Sequence, residues 1–195
     1  MTAIGFANGR IYAAGNGFLD TYDPNSLGTV SSTSFAVGVL AMAGSGSNLV
    51  VRLADQILLN QSGVFTSSIS VAAATSACLA IADNRIVSGD TSSRLRLGIT
   101  SSTLTLLGTF TTPGLNTVTG LAFGHGNRFS ASFNDTTLGV STIRGYSFVN
   151  GALSGPGGNH TARGGPLVNV VAPEPASLLA LSGLAALARR RRRQS

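Results

Sequence analysis

The last 23 residues, 173–195, hold the side chains whose order most clearly suggests a chemical role. The motif Pro173, Glu174 and Pro175 is followed by an uncharged apolar run at 176–188 and then by five arginines, Arg189, Arg190, Arg191, Arg192 and Arg193. An apolar helix can enter a bilayer, while a basic cluster after it is retained on the cytoplasmic side by anionic lipid and by the cost of moving charge through hydrocarbon. This order predicts a membrane-directed tail that ends in a membrane stop cluster.

The apolar run is short for a membrane span. Its 13 residues form a helix of about 20 Å at 1.5 Å per residue, against a hydrocarbon core of about 30 Å. Local thinning of the bilayer, or snorkelling of the first arginines, would make up the difference. The alternative is a helix lying on the membrane surface, but the apolar positions surround this helix instead of forming one stripe.

This tail resembles the PEP-CTERM sorting signal of exopolysaccharide-producing bacteria, since the Pro-Glu-Pro motif, the apolar helix and the membrane stop cluster occur in that order at the C-terminus. The resemblance covers about 24 of the 195 residues. It implies that an exosortase, a membrane protease-transpeptidase, recognises the tail and processes the chain at the PEP motif after export. The implied destination is the cell envelope, with transient membrane anchoring, and then the surface or extracellular matrix.

The rest of the chain offers few residues for catalysis or for binding a metal or cofactor. His125 falls in a Gly-His-Gly-Asn turn and His160 lies in a Gly-rich segment, so no histidine or acidic cluster has metal-ligand spacing. The aspartates are scattered through turns without calcium-loop spacing, and no serine stands in a nucleophile elbow. We expect no catalytic site, no metal site and no cofactor in this chain.

Charge and cysteine content exclude two further kinds of site. All 13 cationic residues are arginines and five belong to the tail, so eight arginines and six aspartates leave the body at +2. The basic balance is therefore a property of the tail, and we expect no nucleic-acid partner. The single cysteine, Cys78, lies in the apolar run Ala-Cys-Leu-Ala-Ile, which predicts a buried core residue and not a reactive thiol.

The beginning of the sequence does not match an exported protein. Residues 1–10 read MTAIGFANGR, which is already strand-like sequence. They contain neither the positively charged region nor the apolar segment with which a signal peptide begins. A sorting tail needs an export signal, so we interpret the sequence as truncated or started late.

The body reads as short β-strands separated by Gly, Ser, Asn and Asp clusters, which predicts an all-β fold. Four segments repeat a pattern of two large apolar residues alternating with small ones, and the repeats place Phe6, Met42, Ile81 and Phe123 at equivalent positions. Their spacings are 36, 39 and 42 residues. A period near 40 with about four strands per period is typical of propeller blades.

These repeats resemble those of YVTN, NHL and quinoprotein-type propellers, and the segment Leu-Asp-Thr-Tyr-Asp-Pro at 19–24 is similar to a strand and turn of such blades. The resemblance implies about four blades of four short antiparallel strands, either a small closed ring or the C-terminal part of a larger propeller. A β-sandwich is the alternative, because it also has short strands with frequent turns.

We therefore expect a propeller-like domain at 1–154 with a short final strand at 152–154, a Gly/Pro-rich linker at 155–171, and the sorting signal at 172–195. The expected function is that of a non-enzymatic envelope or matrix protein whose partners are exosortase, the membrane and exopolysaccharide or another matrix component. The alternative is a propeller enzyme, a lactonase or a quinoprotein-like protein, with its catalytic residues in missing N-terminal blades.

Overall fold

The computed structural model describes residues 3–92, 94–101, 103–111, 117–124, 127–135, 140–149 and 152–163. Within these ranges the chain forms sixteen β-strands. In chain order they are β1 (Ala3–Ala7), β2 (Arg10–Ala14), β3 (Phe18–Tyr22), β4 (Thr29–Ser34), β5 (Val39–Ser45), β6 (Asn48–Leu53), β7 (Gln56–Gln61), β8 (Val64–Ser70), β9 (Ala77–Ala82), β10 (Arg85–Asp90), β11 (Arg94–Thr100), β12 (Leu104–Thr111), β13 (Thr117–Phe123), β14 (Arg128–Asp135), β15 (Val140–Val149) and β16 (Ala152–Arg163).

The strands form four antiparallel sheets, and each sheet is a meander of four consecutive strands: β1–β4, β5–β8, β9–β12 and β13–β16. Two-residue connections close several of the hairpins. The connection of Asn8 and Gly9 has φ of 50° and 65°, the left-handed geometry of a type I′ turn, which Asn and Gly adopt most readily. This confirms the predicted repeat of four-stranded units and excludes the alternative of two facing sheets in a β-sandwich.

The four sheets follow one another through their first strands. β1 contacts β5, β5 contacts β9 and β9 contacts β13, whereas β1 and β13 share no comparable contact in the described part of the chain. A first strand that is adjacent to the first strands of its neighbours is the inner strand of a propeller blade. The described sheets therefore form a propeller-like arc that is not closed between its first and last members.

The hydrophobic core is divided among the three junctions between neighbouring sheets. The first junction packs Tyr12 and Leu19 against Met42 and Leu49, among other residues of the first two sheets. The second junction is smaller and joins residues of the second sheet, such as Ile57, to residues of the third. The third junction is largely aromatic. Phe129, Phe133, Tyr146 and Phe148 of the fourth sheet pack there against residues of the third sheet, such as Val87 and Leu95. Each inner sheet thus buries both of its faces.

The equivalence of Phe6, Met42, Ile81 and Phe123 is also present in the hydrogen-bond register. They pair across the first hairpin of each sheet with Ile11, Val51, Ile86 and Phe129, in that order. Because cross-strand partners lie on the same face of a sheet, each pair presents two large apolar side chains to the same side. The predicted period near 40 is therefore a true structural period.

The end of the domain differs from the expectation. β16 runs over Ala152–Arg163, so the last strand is much longer than the predicted 152–154 and takes in the first part of the predicted linker. Among the described strands β16 pairs with β15 alone, and the register shifts opposite 145–147, where Gly145 pairs with Gly158 and Ser147 with Ser154. An edge strand with a bulge tolerates glycine and Pro156, which a central strand would not.

The predicted apolar helix at 176–188, and with it the PEP motif and the membrane stop cluster, lies outside the described residues. Among the residues that the structure does describe, no helix has the length and apolar character needed to cross a membrane.

Candidate functional site

The most unusual chemistry of the described residues is a buried charged cluster between the second and third sheets. We call Arg52, Asp90, Arg94 and Arg96 the arginine cluster. Arg52 lies near the end of β6, Asp90 ends β10, and the other two arginines lie at the start of β11. Arg52, Asp90 and Arg96 are 0%, 0% and 3% exposed. Charged residues are rarely so completely buried unless they are paired, so the partners of each member decide what the cluster can do.

Asp90 is the only carboxylate in the cluster. Its side chain accepts hydrogen bonds from Nη1 of Arg96 at 2.7 Å and from the backbone N–H of Ser92 at 2.8 Å, and Nε of Arg94 lies 3.3 Å away. Burial opposes ionisation of this carboxyl, but the hydrogen bond from Arg96, the hydrogen bond from Ser92 and the two arginine charges outweigh it, so the pKa of Asp90 lies below its ordinary value. The carboxylate is therefore held ionised, and both of its oxygens accept hydrogen bonds.

Among the described residues no carboxylate is hydrogen-bonded to Arg52, whose guanidinium instead donates to backbone carbonyls. Nη1 donates to Leu53 at 2.6 Å and to Gln56 at 3.2 Å, and Nη2 donates to Ala72 at 3.1 Å. Burial, followed by repulsion from the charge of Arg96, lowers the pKa of Arg52 to about 10. Arg52 thus ties the end of β6 to the start of β7 and to the connection that leads into the third sheet.

The opposite end of the same junction is held by neutral polar groups. Nδ2 of Asn48 donates to Oγ1 of Thr100 at 3.3 Å, across from the second sheet to the third. Nε2 of Gln61 donates to Oδ1 of Asn48 at 3.1 Å and to the carbonyl oxygen of Ser101 at 2.7 Å. Side-chain hydrogen bonds therefore cross the second junction, whose apolar core is the smallest of the three, at this end. At the other end the contacts of Arg52 and of Asp90 stay within their own sheets and the connection between them.

The arginine cluster is suited to holding neighbouring strands and their connections together and is poorly suited to acid–base chemistry. A guanidinium remains protonated near neutral pH, and Asp90 already accepts the hydrogen bonds that a proton transfer would require it to release. In the part of the chain that the structure describes, no three His, Cys, Asp or Glu side chains are grouped so that they could hold a metal ion.

The residues singled out in the sequence have different outcomes. The sorting motif, the stop cluster and His125 lie outside the described residues, and the backbone of His160 lies in β16. Cys78 is partly buried in β9, and its thiol donates to the carbonyl oxygen of Val118 at 3.6 Å. Burial raises the pKa of this thiol to about 12. The interpretation of Cys78 as an unreactive packing residue agrees with this environment.

The arginine cluster itself was missed from the sequence. Arg52 follows three apolar residues in Asn-Leu-Val-Val-Arg-Leu, and the alternation Arg-Leu-Arg-Leu at 94–97 resembles an ordinary surface strand. A signal was nevertheless present, because an arginine inside a wholly apolar strand must find partners for its donors.

No protein-family model and no curated protein matches the sequence. Solved structures do resemble the fold. A hydrazine synthase chain from Kuenenia stuttgartiensis is similar with a TM-score of 0.69 and 11% identity, over 83% of this chain and 49% of that chain. A chain of the mitotic checkpoint complex is similar with a TM-score of 0.63 and 16% identity, over 83% and 49%.

The computationally designed protein Ika4 is similar with a TM-score of 0.59 and 17% identity, over 75% of this chain and 89% of that chain. At such low identities these likenesses show the fold alone, which is an all-β, propeller-like repeat of four-stranded sheets. The chain spans about half the length of the hydrazine synthase and checkpoint chains that it resembles.

Proposed function

We propose that this chain is a non-enzymatic protein of the bacterial cell envelope or extracellular matrix, delivered by a C-terminal PEP-CTERM signal. The observation that carries the proposal is the order of Pro173, Glu174 and Pro175, then an apolar run, then five arginines, at the end of the chain. In this proposal an exosortase-type enzyme recognises the tail while the apolar run at 176–188 is helical and holds the chain in the membrane.

The character of the body supports a scaffold more than an enzyme. The buried ionic groups of the described residues hold strands and connections together, as the contacts of Arg52 and of Asp90 with Arg96 illustrate. A body with a charge of +2 and short polar turns presents many hydroxyl and amide groups to solvent. Such a surface suits weak, repeated contacts with hydroxyl-rich polymers, so exopolysaccharide is the partner that we propose.

We further propose that the four sheets belong to a propeller of more than four blades. The arc is open between β1 and β13, and the chain matches about half the length of two propeller-like chains. A larger ring is also compatible with the alternative function, a lactonase or quinoprotein-like activity whose catalytic residues lie in other blades. Turnover of lactones or alcohols by the full-length purified protein would favour that alternative.

The sorting proposal is tested by fusing residues 150–195 to an exported reporter in a host that has an exosortase. We expect the fusion to be shortened and released, and we expect release to be lost when Pro173 and Pro175 are both changed to alanine. The matched control changes Pro156 and Pro166, which lie in the same fusion but outside the motif. Equal release from all three fusions would contradict the assignment of the motif.

A second pair of fusions tests the stop cluster. Replacing Arg189, Arg190, Arg191, Arg192 and Arg193 with glutamine removes the positive charge that retains the tail on the cytoplasmic side. We expect the tail of this fusion to be translocated completely, so that the fusion is not held in the membrane and is not shortened by the exosortase. Binding of exopolysaccharide is tested separately, by sedimentation of the purified protein with the purified polymer, so that failure of one proposal leaves the other measurable.

A further inference from the structure

Positive charge exceeds negative charge in the arginine cluster. Arg52, Arg94 and Arg96 supply three guanidinium groups, and Asp90 is the one carboxylate of the described residues that forms an ion pair with any of them. Asp55 also attracts Arg52 electrostatically, but Asp55 is exposed to solvent. Buried charges are normally paired with a charge of opposite sign. The cluster therefore contains more buried positive charge than its buried carboxylate can balance.

Arg52 is the arginine of the cluster that forms no ion pair within the described residues. It is 0% exposed, and it donates to the carbonyl oxygens of Leu53, Gln56 and Ala72, which carry no formal charge. Its Nε atom is buried and has no hydrogen-bond partner in the described part of the chain. Because a guanidinium has five N–H donors, Arg52 retains both a donor and a positive charge for a further group.

A second buried donor without a partner lies in the same junction. Ser88 is 0% exposed, and its Oγ atom has no hydrogen-bond partner among the residues that the structure describes. Ser88 on β10 lies directly opposite Arg96 on β11 in the hydrogen-bond register, so the two side chains are on the same face of the third sheet. A buried polar group that no protein atom satisfies calls for a bound water or ion as its partner.

The register places Arg52 and Ser88 in the same layer of the junction. Val50 and Ile86 belong to one apolar cluster between the second and third sheets. Arg52 follows Val50 by two residues on β6, and Ser88 follows Ile86 by two residues on β10. Because residues two apart on a strand share a face, both side chains point into the junction from its two sides. Burial lowers the pKa of Arg52, and repulsion from the charge of Arg96 lowers it further, which agrees with this proximity.

We propose that a small monovalent inorganic anion, of halide size, binds between Arg52 and Ser88, beside the guanidinium of Arg96. The anion accepts hydrogen bonds from Nε of Arg52 and from Oγ of Ser88, and its charge balances the positive charge that Asp90 leaves over. It joins the second sheet to the third at the end of the junction where the contacts of Arg52 and Asp90 stay within their own sheets and the connection between them.

Burial limits the size of the ligand. Arg52 and Arg96 are 0% and 3% exposed, which leaves no surface for a polymer or a large organic acid to contact. Solvent reaches the edge of the cluster at Arg94, whose side chain is 29% exposed, and this side is the route by which a small ion enters. The inference is independent of the sorting proposal, because it concerns the body alone.

Diffraction from crystals of the full-length chain soaked in sodium bromide tests the site directly. Bromide is a halide with a strong anomalous signal, whereas water has none. We expect an anomalous peak within hydrogen-bonding distance of Nε of Arg52 and Oγ of Ser88. Electron density there without an anomalous signal would identify a water and overturn the proposal. Bromide found at the surface alone would mean an adventitious ion only, which overturns it as well.

Unfolding in solution provides the second test. Urea unfolding of the full-length chain is followed by circular dichroism while sodium bromide replaces sodium gluconate at constant ionic strength, because gluconate is too large for a buried site. A ligand that binds only the folded state stabilises it once its concentration exceeds the dissociation constant. We expect the urea midpoint to rise with bromide concentration, and a midpoint that bromide leaves unchanged would overturn the proposal.

Ser88→Ala removes one of the two donors to the anion. Loss of a hydrogen bond to a charged group should raise the dissociation constant for bromide by about tenfold or more. The matched control is Ser132→Ala, because Ser132 is also 0% exposed but contacts Thr119 within the fourth sheet. We expect the control to keep the bromide affinity of the unaltered protein. Bromide affinity that Ser88→Ala does not change, or that both variants lose equally, would contradict the proposal.

Ser88→Asp replaces the bound anion with a carboxylate that belongs to the chain. We expect the urea midpoint of this variant to be the same in sodium bromide as in sodium gluconate, because the positive charge of Arg52 and Arg96 is then already balanced. A midpoint that still rises with bromide would show that the bromide binds elsewhere and would overturn the assignment of the site.

Discussion

Asp90 accepts a hydrogen bond from Nη1 of Arg96 at 2.7 Å, and their side chains are 0% and 3% exposed. The two residues lie on neighbouring strands, β10 and β11, at the end of the third sheet that carries the arginine cluster. A buried ion is tolerated only while its partner is present, since removing one partner leaves the other charge desolvated and unpaired. The stability of the third sheet therefore depends strongly on this one contact.

Asp90→Asn should destabilise the protein substantially. The amide has nearly the same shape as the carboxylate but leaves the buried guanidinium of Arg96 without a counterion, and breaking a buried pair costs about 3–5 kcal/mol. Urea unfolding followed by circular dichroism measures the loss. The matched control is Asp83→Asn, because Asp83 is 83% exposed and bridges Arg85 at 3.1 Å. We expect little change in the control, and equal losses would contradict the assigned role of Asp90.

The same residue should make the protein sensitive to acid. Because the pKa of Asp90 is lower in the folded state than its ordinary value of about 3.9, the unfolded state binds more protons in acid. The stabilisation is present above that ordinary value and is lost as the pH falls through the folded pKa. We expect the free energy of unfolding to decrease from about pH 5 downward.

Asp90→Asn should flatten this acid dependence without abolishing it. The pKa of Asp23 is also lowered, first by the backbone N–H of Asn25 and also by Arg10, so a residual slope remains. Urea unfolding of both proteins at a series of pH values between about 3 and 6 provides the comparison. Parallel curves for the two proteins would show that the carboxylate of Asp90 is not the group responsible.

Gly44→Ala should weaken the junction between the first two sheets. A Cβ atom on Gly44 would lie 2.1 Å from the carbonyl oxygen of Phe6 and 2.9 Å from Cβ of Ala7, so it collides with backbone that cannot rotate away. We expect a loss of about 1–3 kcal/mol or more, as for an overpacked interior. Gly145→Ala is the control, since no atom of the described residues lies within 4 Å of its added Cβ. Thermal unfolding that ranks the two substitutions in the reverse order would refute this packing.

Cys78 should be unreactive in the folded protein. Burial raises the pKa of its thiol to about 12, so the nucleophilic thiolate is scarce at neutral or mildly alkaline pH. We expect a thiol-reactive dye to label Cys78 slowly at pH 8 and quickly after denaturation in guanidinium chloride. Leu27→Cys, at an exposed turn position, supplies the reference rate for an accessible thiol in the same fold. Equal rates at the two positions would show that the thiol is open to solvent.

The strands and their repeat could be predicted from the sequence because the signals are local. Alternation of large and small residues, as in Ala-Ile-Gly-Phe at 3–6, and turn pairs such as Asn8 and Gly9 require no knowledge of distant contacts. The length of β16 could not be predicted in this way. Its Gly-Pro-Gly-Gly composition is typical of a linker, and only pairing with the long neighbour β15 keeps it extended.

The arginine cluster was unpredictable for a different reason. Arg52 and Arg96 are 44 residues apart in sequence and belong to different sheets, so their proximity depends on how those sheets pack. Strand propensity and alternation predict that each arginine lies on the surface of a strand. They do not predict that two such surfaces face each other in the folded protein. The exposure of Phe6 was unpredictable for the same reason, since Phe6 matches Met42 in sequence pattern, yet Phe6 is 57% exposed and Met42 is 8% exposed.

Because each described sheet is a meander of four consecutive strands, none of the sixteen strands is exchanged between sheets. All of the backbone hydrogen bonds between the strands of one sheet are formed within one continuous segment of the chain. The contacts between sheets are then side-chain packing against neighbouring segments. During synthesis, each sheet can therefore complete its ladder as soon as its fourth strand emerges. The same arrangement lets duplication or deletion of a single gene segment add or remove one whole sheet without breaking the hydrogen-bonded ladders of the others.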